Sequence, residues 1–343
     1  MKDNILISDS KIEELNIFMD GLNNTCDKNF NYEENVADLT MVGHFKTFRR
    51  YLKYFFVPLK YFISRKKYNI VMGWQQFYAL NYCFYCSIFR VKKVNKVIAL
   101  NFTYRKRKGI LGILFYKYIK MCIETGYLDY LHVPSEKYAK VISEEFRFSR
   151  NNIIVAPFGI VDIYDKHKDD ESPLGIDKPY ILSIGRSNRD FDFLVHTWKK
   201  ENVKDLLVIV SDTYKNTNLP DNIIIKNNVN ADNQYPWIIN SKCLVIPLED
   251  EKICSGDTVL LTAMSFKKIV IVTIPSALSD MYIIDKYNGI NVEKTTVALS
   301  RLIKQINDNE YKKIGNQARS SFLNKYTRFK LGENIGKFIT ENS

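Results

Sequence analysis

Residues 180–194 read YILSIGRSNRDFDFL. Five strand-forming residues, Tyr180 to Ile184, run into Gly185, and a helical pattern opens near Phe191. A short apolar run that ends on a glycine turn and leads into a helix is the building unit of a parallel sheet. Two arginines, Arg186 and Arg189, ride on that turn. The guanidinium fork pairs with phosphate oxygens, so arginines held at a strand end suit a diphosphate. The same pair also suits an ordinary basic surface turn.

The unit repeats in both directions. Downstream, Leu206–Val210, Ile223–Lys226, Leu244–Pro247 and Ile269–Thr273 read as strands, with helices over 256–266 and most of 295–341. Upstream, strands are expected at Asn4–Ile7, Tyr68–Trp74, Lys96–Phe102, Tyr127–Val133 and Asn152–Pro157. Helices are expected over 76–90, 110–124 and 135–147, while residues 10–40 are polar and give no clear pattern. Residues 160–178 are polar and charged, with Pro173 and Gly175, and read as a linker. Strands alternating with helices over 343 residues predict an α/β chain of two Rossmann-like domains. The expected boundaries are 1–160, a linker over 161–178, 179–325, and a last helix, 326–343, packing back on the first domain. Two such sheets are expected to face each other across a cleft, with ligands outside the carboxyl ends of their strands.

A second informative stretch is LEDEKICSGDTVLLTAM, residues 248–264. The strand Leu244–Leu248 leads into an acidic loop, and Ser255-Gly256 precede a helix. Backbone N–H groups at a helix start are free, and the helix dipole favours an anion there. Ser255 and Thr258 add hydroxyls, and Gly256 lets the backbone approach a ligand closely. An ordinary serine N-cap is the plainer reading of the same residues.

Taken in order, GRSNRDFDFL (185–194), SGDTVLLTAM (255–264), KKIVIVT (267–273) and NGINVE (288–293) resemble the donor domain of family-four glycosyltransferases of the GT-B fold. The resemblance is specific over about 180–325. It continues more weakly back to about 68, including Val133-Pro134-Ser135 and Pro157-Phe158-Gly159. It implies a retaining, metal-independent hexosyl transfer from a nucleotide-diphosphate sugar, with UDP favoured and no further cofactor. It also implies donor-binding roles for Gly185, Arg186, Arg189, Ser255, Gly256, Asp257, Thr258, Val259 and Thr262, with the base pairing to backbone near Val229. In that chemistry Arg186 and Arg189 would stabilise the departing diphosphate.

The departures are specific. The family's paired glutamates fall at Cys254 and Thr262, neither of them acidic. The glycine-rich loop after the first strand is absent, and Asn101–Tyr104 stands where the family has a histidine. No general base can be named. On the acceptor side, Trp74, Gln75 and Gln76 follow a buried strand, and Asn101, Thr103, Tyr104 and Arg105 follow the next. A ring and two amides suit a sugar. A core tryptophan and a helix-capping glutamine suit the same positions.

The net charge of +12 is unevenly placed. Residues 1–160 hold 25 Lys and Arg against 14 Asp and Glu, whereas 161–343 hold 25 and 24. Residues 41–120 carry 18 cations, no acid, and 21 of the 46 aromatic residues. Within them, residues 45–63 form a basic amphipathic pattern, expected to be bent or interrupted at Pro58. Arg49, Arg50, Lys53, Phe55 and Phe56 then suit an anionic membrane surface. A helix packed on the sheet with a solvated basic face is equally compatible. Nucleic acid is disfavoured, since no recognition motif accompanies the charge.

Some candidates are set aside. Cys83-Phe84-Tyr85-Cys86 is a lone CxxC in an apolar helical run and reads as core, and the four histidines have no metal spacing. No apolar stretch reaches the roughly 18 residues a membrane span needs. The N-terminus turns acidic too early for a signal peptide, so a cytoplasmic protein, peripheral on the inner face of the membrane, is expected. The natural acceptor would be a lipid-linked glycan in capsule, exopolysaccharide or O-antigen assembly. The alternatives are a degenerate GT-B protein that binds nucleotide sugar without transferring it, and, less favoured, a nucleic-acid-binding protein.

Overall fold

The computed structural model describes residues 2–10, 12–34, 44–104, 106–175, 179–229, 231–252 and 254–342, the side chains of 33, 34, 44–48 and 231 excepted. Arg105, an expected acceptor group, lies outside the described residues, as do the side chains of Phe45 and Phe48. The chain divides into two compact units, Met1–Val161 with Arg328–Ser343, and Asp162–Thr327.

The first unit runs β1 (Asp3–Ser8), α1 (Ile12–Thr25), β2 (Asn31–Glu34), α2 (His44–Ile63), β3 (Tyr68–Gly73), α3 (Gln76–Ile88), β4 (Lys96–Ala99), α4 (Gly109–Glu124), β5 (Tyr130–Val133), α5 (Glu136–Phe146) and β6 (Ile153–Val155). Its sheet has the order β2-β1-β3-β4-β5-β6, every pair parallel. Inner strands of such a sheet are covered on both faces, which is why β1 and β3 centre on the continuous apolar runs Ile5–Ile7 and Ile70–Met72. Tyr54, Tyr61, Tyr78, Tyr82, Ile119 and Ile142, from α2 to α5, belong to one core cluster. Leu15, Phe18 and Leu22 of α1 form another with residues of the C-terminal helix.

The second unit runs α6 (Tyr164–His167), β7 (Tyr180–Ile184), α7 (Phe191–Lys200), β8 (Leu206–Val210), β9 (Ile223–Lys226), α8 (Tyr235–Ile239), β10 (Cys243–Ile246), α9 (Asp257–Ser265), β11 (Ile269–Ile274), α10 (Ala277–Tyr282), β12 (Ile290–Glu293), α11 (Thr296–Gln305) and α12 (Asp308–Lys325). Its sheet is also fully parallel, in the order β12-β11-β10-β7-β8-β9. The strand order reverses between β7 and β10, the place where a doubly wound sheet opens a crevice for ligands. In the first sheet the equivalent reversal lies between β1 and β3.

The chain then returns to the first unit as α13 (Arg328–Glu341). Helices α1 and α13 pack with their backbones close together: a Cβ on Gly332 would stand 2.2 Å from the Phe18 carbonyl oxygen.

Three local features differ from the sequence reading. Residues 10–40 hold α1 and the edge strand β2, whose Asn-Tyr-Glu-Glu sequence has no apolar alternation to betray it. Helix α2 continues through Pro58 without interruption. The segment read as a linker contains α6, and its Asp162 accepts a two-pronged ion pair from Arg319 of α12, at 2.6 and 2.7 Å. Cys83 and Cys86 are buried in α3 among the core side chains, as the apolar run around them suggests. Among the described residues, no helix is long and apolar enough to cross a membrane.

Candidate functional site

The loops that follow β7 and β10 meet at the reversal of the second sheet. Asn188, at φ 54°, donates its amide to the Asp250 carbonyl at 3.0 Å and accepts from the Asp250 N–H at 2.7 Å. The Asp190 N–H donates to the Pro247 carbonyl at 2.9 Å, and the Asp190 carboxylate caps α7 by accepting from the Phe193 N–H. These contacts explain the turn: Asn tolerates the left-handed backbone it needs, and Asp is a preferred N-cap.

Arg189 is held at the centre of this arrangement. Its guanidinium donates long bonds to four carbonyl oxygens, those of Ile184 (3.4 Å), Ser187 (3.3 Å), Asn188 (3.2 Å) and Ser255 (3.4 Å). It lies against two glycines, where a Cβ would come within 2.9 Å (Gly185) and 2.1 Å (Gly256) of its nitrogens. Burial lowers its pKa to about 10, and Asp257 opposes the shift. Burial also raises the Asp257 carboxyl, against the opposing pull of the Thr258 N–H and of Arg189.

The helix start beside it has no N-cap side chain. Gly256, at φ 102°, is the N-cap of α9 and offers no side-chain acceptor. Ser255 is therefore not the capping residue, although it is adjacent. Asp257 Oδ1 accepts from the Thr258 N–H at 2.9 Å. Thr258 is exposed and Val259 half-buried in the first turn. The Arg189 guanidinium, satisfied only by long bonds, and the N–H groups of the helix start that Asp257 does not take are the groups here with the chemistry to hold an anion.

Arg186 stands further out. It is about half exposed and pairs with Asp212, at the end of β8, at 2.9 Å. Asp212 also accepts from the Asn228 N–H at 2.7 Å, and Thr213 Oγ1 donates to the Arg186 carbonyl at 3.1 Å. The ends of β7, β8 and β9 are thereby joined, and Val229, half-buried, follows Asn228 directly. Thr262 does not fit the role suggested for it. It is buried, and its hydroxyl donates to the Thr258 carbonyl at 2.8 Å, the back-bond that serine and threonine make inside helices.

The acceptor candidates of the first unit fare differently from one another. Trp74 is only 7% exposed. Phe18 meets its ring edge-on at 4.9 Å, and the Arg328 guanidinium lies over it at 4.7 Å. No face is left for a sugar. Gln76 spends its amide on the Thr103 backbone, donating to the carbonyl and accepting from the N–H, both at 2.9 Å. Gln75 caps α3 by accepting from the Phe77 N–H at 2.9 Å. The Tyr104 ring packs on Phe115 and Phe146, which leaves Thr103 as the exposed member of the set.

Sequence reading missed one polar group at the first sheet's own reversal. Asp9, directly after β1, is 5% exposed and accepts from the Tyr54 hydroxyl at 2.8 Å. Arg50 Nε donates to that hydroxyl at 2.5 Å. Arg50, expected to face a membrane, is exposed and bonds Tyr54. The available signal was an acid placed directly after the apolar run Asn4–Ile7 and Ser8. Among the described residues, no three His, Cys, Asp or Glu side chains gather as a metal site.

No protein-family model and no curated protein matches the chain. Solved structures do. The chain is similar to a glycosyltransferase from Rickettsia africae, at 16% identity and TM-score 0.67 over 100% of both chains. It is similar to Anabaena HepE, solved in complex with UDP-glucose, at 10% identity and TM-score 0.63, covering 99% of this chain and 100% of that one. It is also similar to WaaG, a glycosyltransferase involved in lipopolysaccharide biosynthesis, at 13% identity and TM-score 0.60, covering 98% and 99%. At such identities the likeness establishes the fold: the two parallel six-stranded sheets are those of GT-B glycosyltransferases.

Proposed function

We propose that the protein is a glycosyltransferase that moves a hexosyl group from a nucleotide-diphosphate sugar, with UDP the favoured carrier, to a lipid-linked or saccharide acceptor. The observation that carries this reading is Arg189, held between Gly185 and Gly256 beside the start of α9, at the reversal of the second sheet. Supporting it, HepE binds UDP-glucose and WaaG acts in lipopolysaccharide biosynthesis. The acceptor reading is accordingly a glycan under assembly, such as capsule, exopolysaccharide or O-antigen.

In the proposed reaction the glycosidic bond breaks with retention of configuration, and negative charge builds on the departing diphosphate. Arg189 and the N–H groups of α9 are oriented in advance, so they stabilise that charge with little reorganisation. Arg186 is placed to exchange Asp212 for a phosphate oxygen. These groups take the part that a divalent cation plays elsewhere, so activity should survive a chelator. Backbone near Val229 would pair with the base, while Ser255, Asp257, Thr258 and Val259 would line the sugar and phosphate side. On the first unit, Arg49, Lys53, Phe55 and Phe56 of α2 would dock the protein on an anionic membrane at the inner face of the cell envelope.

A screen of thermal stability against UDP, GDP, CDP, TDP and their common sugars tests the donor site, because a ligand that binds only the native state raises the unfolding temperature. A shift with UDP that disappears in Arg186→Ala supports the reading, and the absence of a shift with every nucleotide overturns it. The non-acidic Cys254 and the self-bonded Thr262 favour one second reading, a nucleotide-sugar-binding protein without transferase activity. It predicts the same thermal shift without release of UDP from any donor.

A further inference from the structure

The first turns of α4 are unusual for a folded surface. Ile110, Leu111, Ile113 and Leu114 are 77%, 80%, 56% and 57% exposed, and the first two are the most exposed large apolar side chains among the described residues. Scattered single apolar residues on a surface need no explanation, whereas four adjoining ones do. Just before them, Lys106, Arg107 and Lys108 are exposed. Three cations at a helix N-terminus oppose its dipole. Their placement is unfavourable for the helix alone and favourable beside an external anion.

Helix α4 packs on the basic helix α2 through α3. On α3, Phe84 meets Phe55 of α2 at 6.0 Å and Tyr118 of α4 at 5.9 Å. Phe56 of α2 is 57% exposed beside Phe55. Aromatic contacts thus tie α4 to α3 and α2, the helix that carries the exposed Phe56. Residues 41–120, which contain α2, α3 and all but the last four residues of α4, carry 18 cations and no acid.

We propose that the first turn of α4 is a bilayer-inserting wedge. Ile110, Leu111, Ile113 and Leu114 enter the boundary between headgroups and acyl chains of an anionic membrane, while Lys106, Arg107 and Lys108 stay at the level of the lipid phosphates. The inference rests on the membrane-docking reading of α2 and adds to it the element that penetrates. A second copy of the chain is a poor occupant, because a two-fold interface here would set Lys106, Arg107 and Lys108 of both copies against each other.

The test uses the full chain with vesicles of phosphatidylcholine, alone or mixed with phosphatidylglycerol. The native tryptophans, Trp74, Trp198 and Trp237, are all at most 7% exposed, so a Leu111→Trp variant adds a distinct reporter. Its emission should shift to the blue with the anionic vesicles, and lipids brominated in the acyl chain should quench it. The double variant Leu111→Ser with Leu114→Ser changes only exposed positions and should lower partitioning roughly tenfold, while keeping its thermal shift with UDP. If the wild type floats with anionic vesicles but the reporter is unquenched and the serine variant floats equally well, the wedge is wrong and docking through α2 stands. Arg49→Glu with Lys53→Glu should also weaken flotation, as docking through α2 requires; if that variant floats as the wild type does, the docking reading on which the wedge rests is wrong. If the wild type floats with neither vesicle, the docking reading itself fails and takes the wedge with it. Self-association that the serine variant abolishes would assign the patch to a second copy and overturn the proposal.

Discussion

A Cβ on Gly256 would stand 2.1 Å from Nη2 of Arg189, so the glycine and the arginine occupy one shared space. Gly256 is also at φ 102°, a backbone conformation that side-chain-bearing residues avoid. Gly256→Ala therefore combines backbone strain with expulsion of the guanidinium. The expected cost is about 1–3 kcal/mol in urea unfolding. The more telling result is functional: the variant should lose its thermal shift with UDP. Full retention of that shift would show that Arg189 is not needed where it stands.

Arg186 and Arg189 should respond differently to substitution. Arg186 is half exposed, and its pair with Asp212 contributes little to stability. Arg186→Ala should leave urea unfolding unchanged within about 0.5 kcal/mol while weakening UDP binding. Arg189→Lys keeps a charge but loses the planar fork that reaches four carbonyl oxygens. It should both destabilise the second unit and weaken UDP binding about tenfold or more, read by calorimetry. Equal effects at the two positions would contradict this division of roles between the arginines.

The second sheet was legible because its strands are short apolar runs that end on recognisable turns, such as Ile184-Gly185 and Leu248 before the acidic loop. Strand β2 was not, because its sequence, Asn-Tyr-Glu-Glu, carries no apolar alternation. The same distinction explains the sites. Arg189 and Gly256 were singled out by their place after strands and by the family resemblance, and the structure brings the two together. The acceptor candidates were not, since a residue after a strand has two destinations, and tertiary contacts decided between them. Trp74 went to Phe18 and Arg328, and Gln76 to the backbone of Thr103. Arg328 lies 254 positions from Trp74 in the sequence, so nothing local announces that contact.

His132 gives a pH prediction. It is 1% exposed, its Nδ1 accepts from the Asn101 N–H at 3.1 Å, and its Nε2 donates to the Ala156 carbonyl at 2.9 Å. Burial lowers its pKa to about 4, against an unfolded value near 6.5. Between those values the unfolded chain binds the extra proton and the native state does not, so stability falls as pH drops through that window. The expected loss is about 3 kcal/mol from pH 7 to pH 4 for this residue. His132→Gln should flatten that part of the stability profile in urea unfolding, whatever it does to stability at pH 7. An unchanged slope between pH 6.5 and 4 would remove His132 as the source.

Arg328 and Trp74 supply the last prediction. The guanidinium is 7% exposed, lies over the indole at 4.7 Å, and donates to Glu14 at 3.1 Å. Burial lowers the Arg328 pKa, and Glu14 opposes the shift. A cation taken from water is tolerable only while its partner stays charged, so Glu14→Gln should cost about 1–3 kcal/mol. Arg328→Ala removes the cation and also uncovers the indole; it should cost about 2–4 kcal/mol through lost packing and should red-shift tryptophan emission. The double variant should cost less than the sum, because once the arginine is gone the glutamate has no buried charge left to neutralise. Additivity would mean that the pair does not interact, and an unchanged emission spectrum would mean that Arg328 does not cover Trp74.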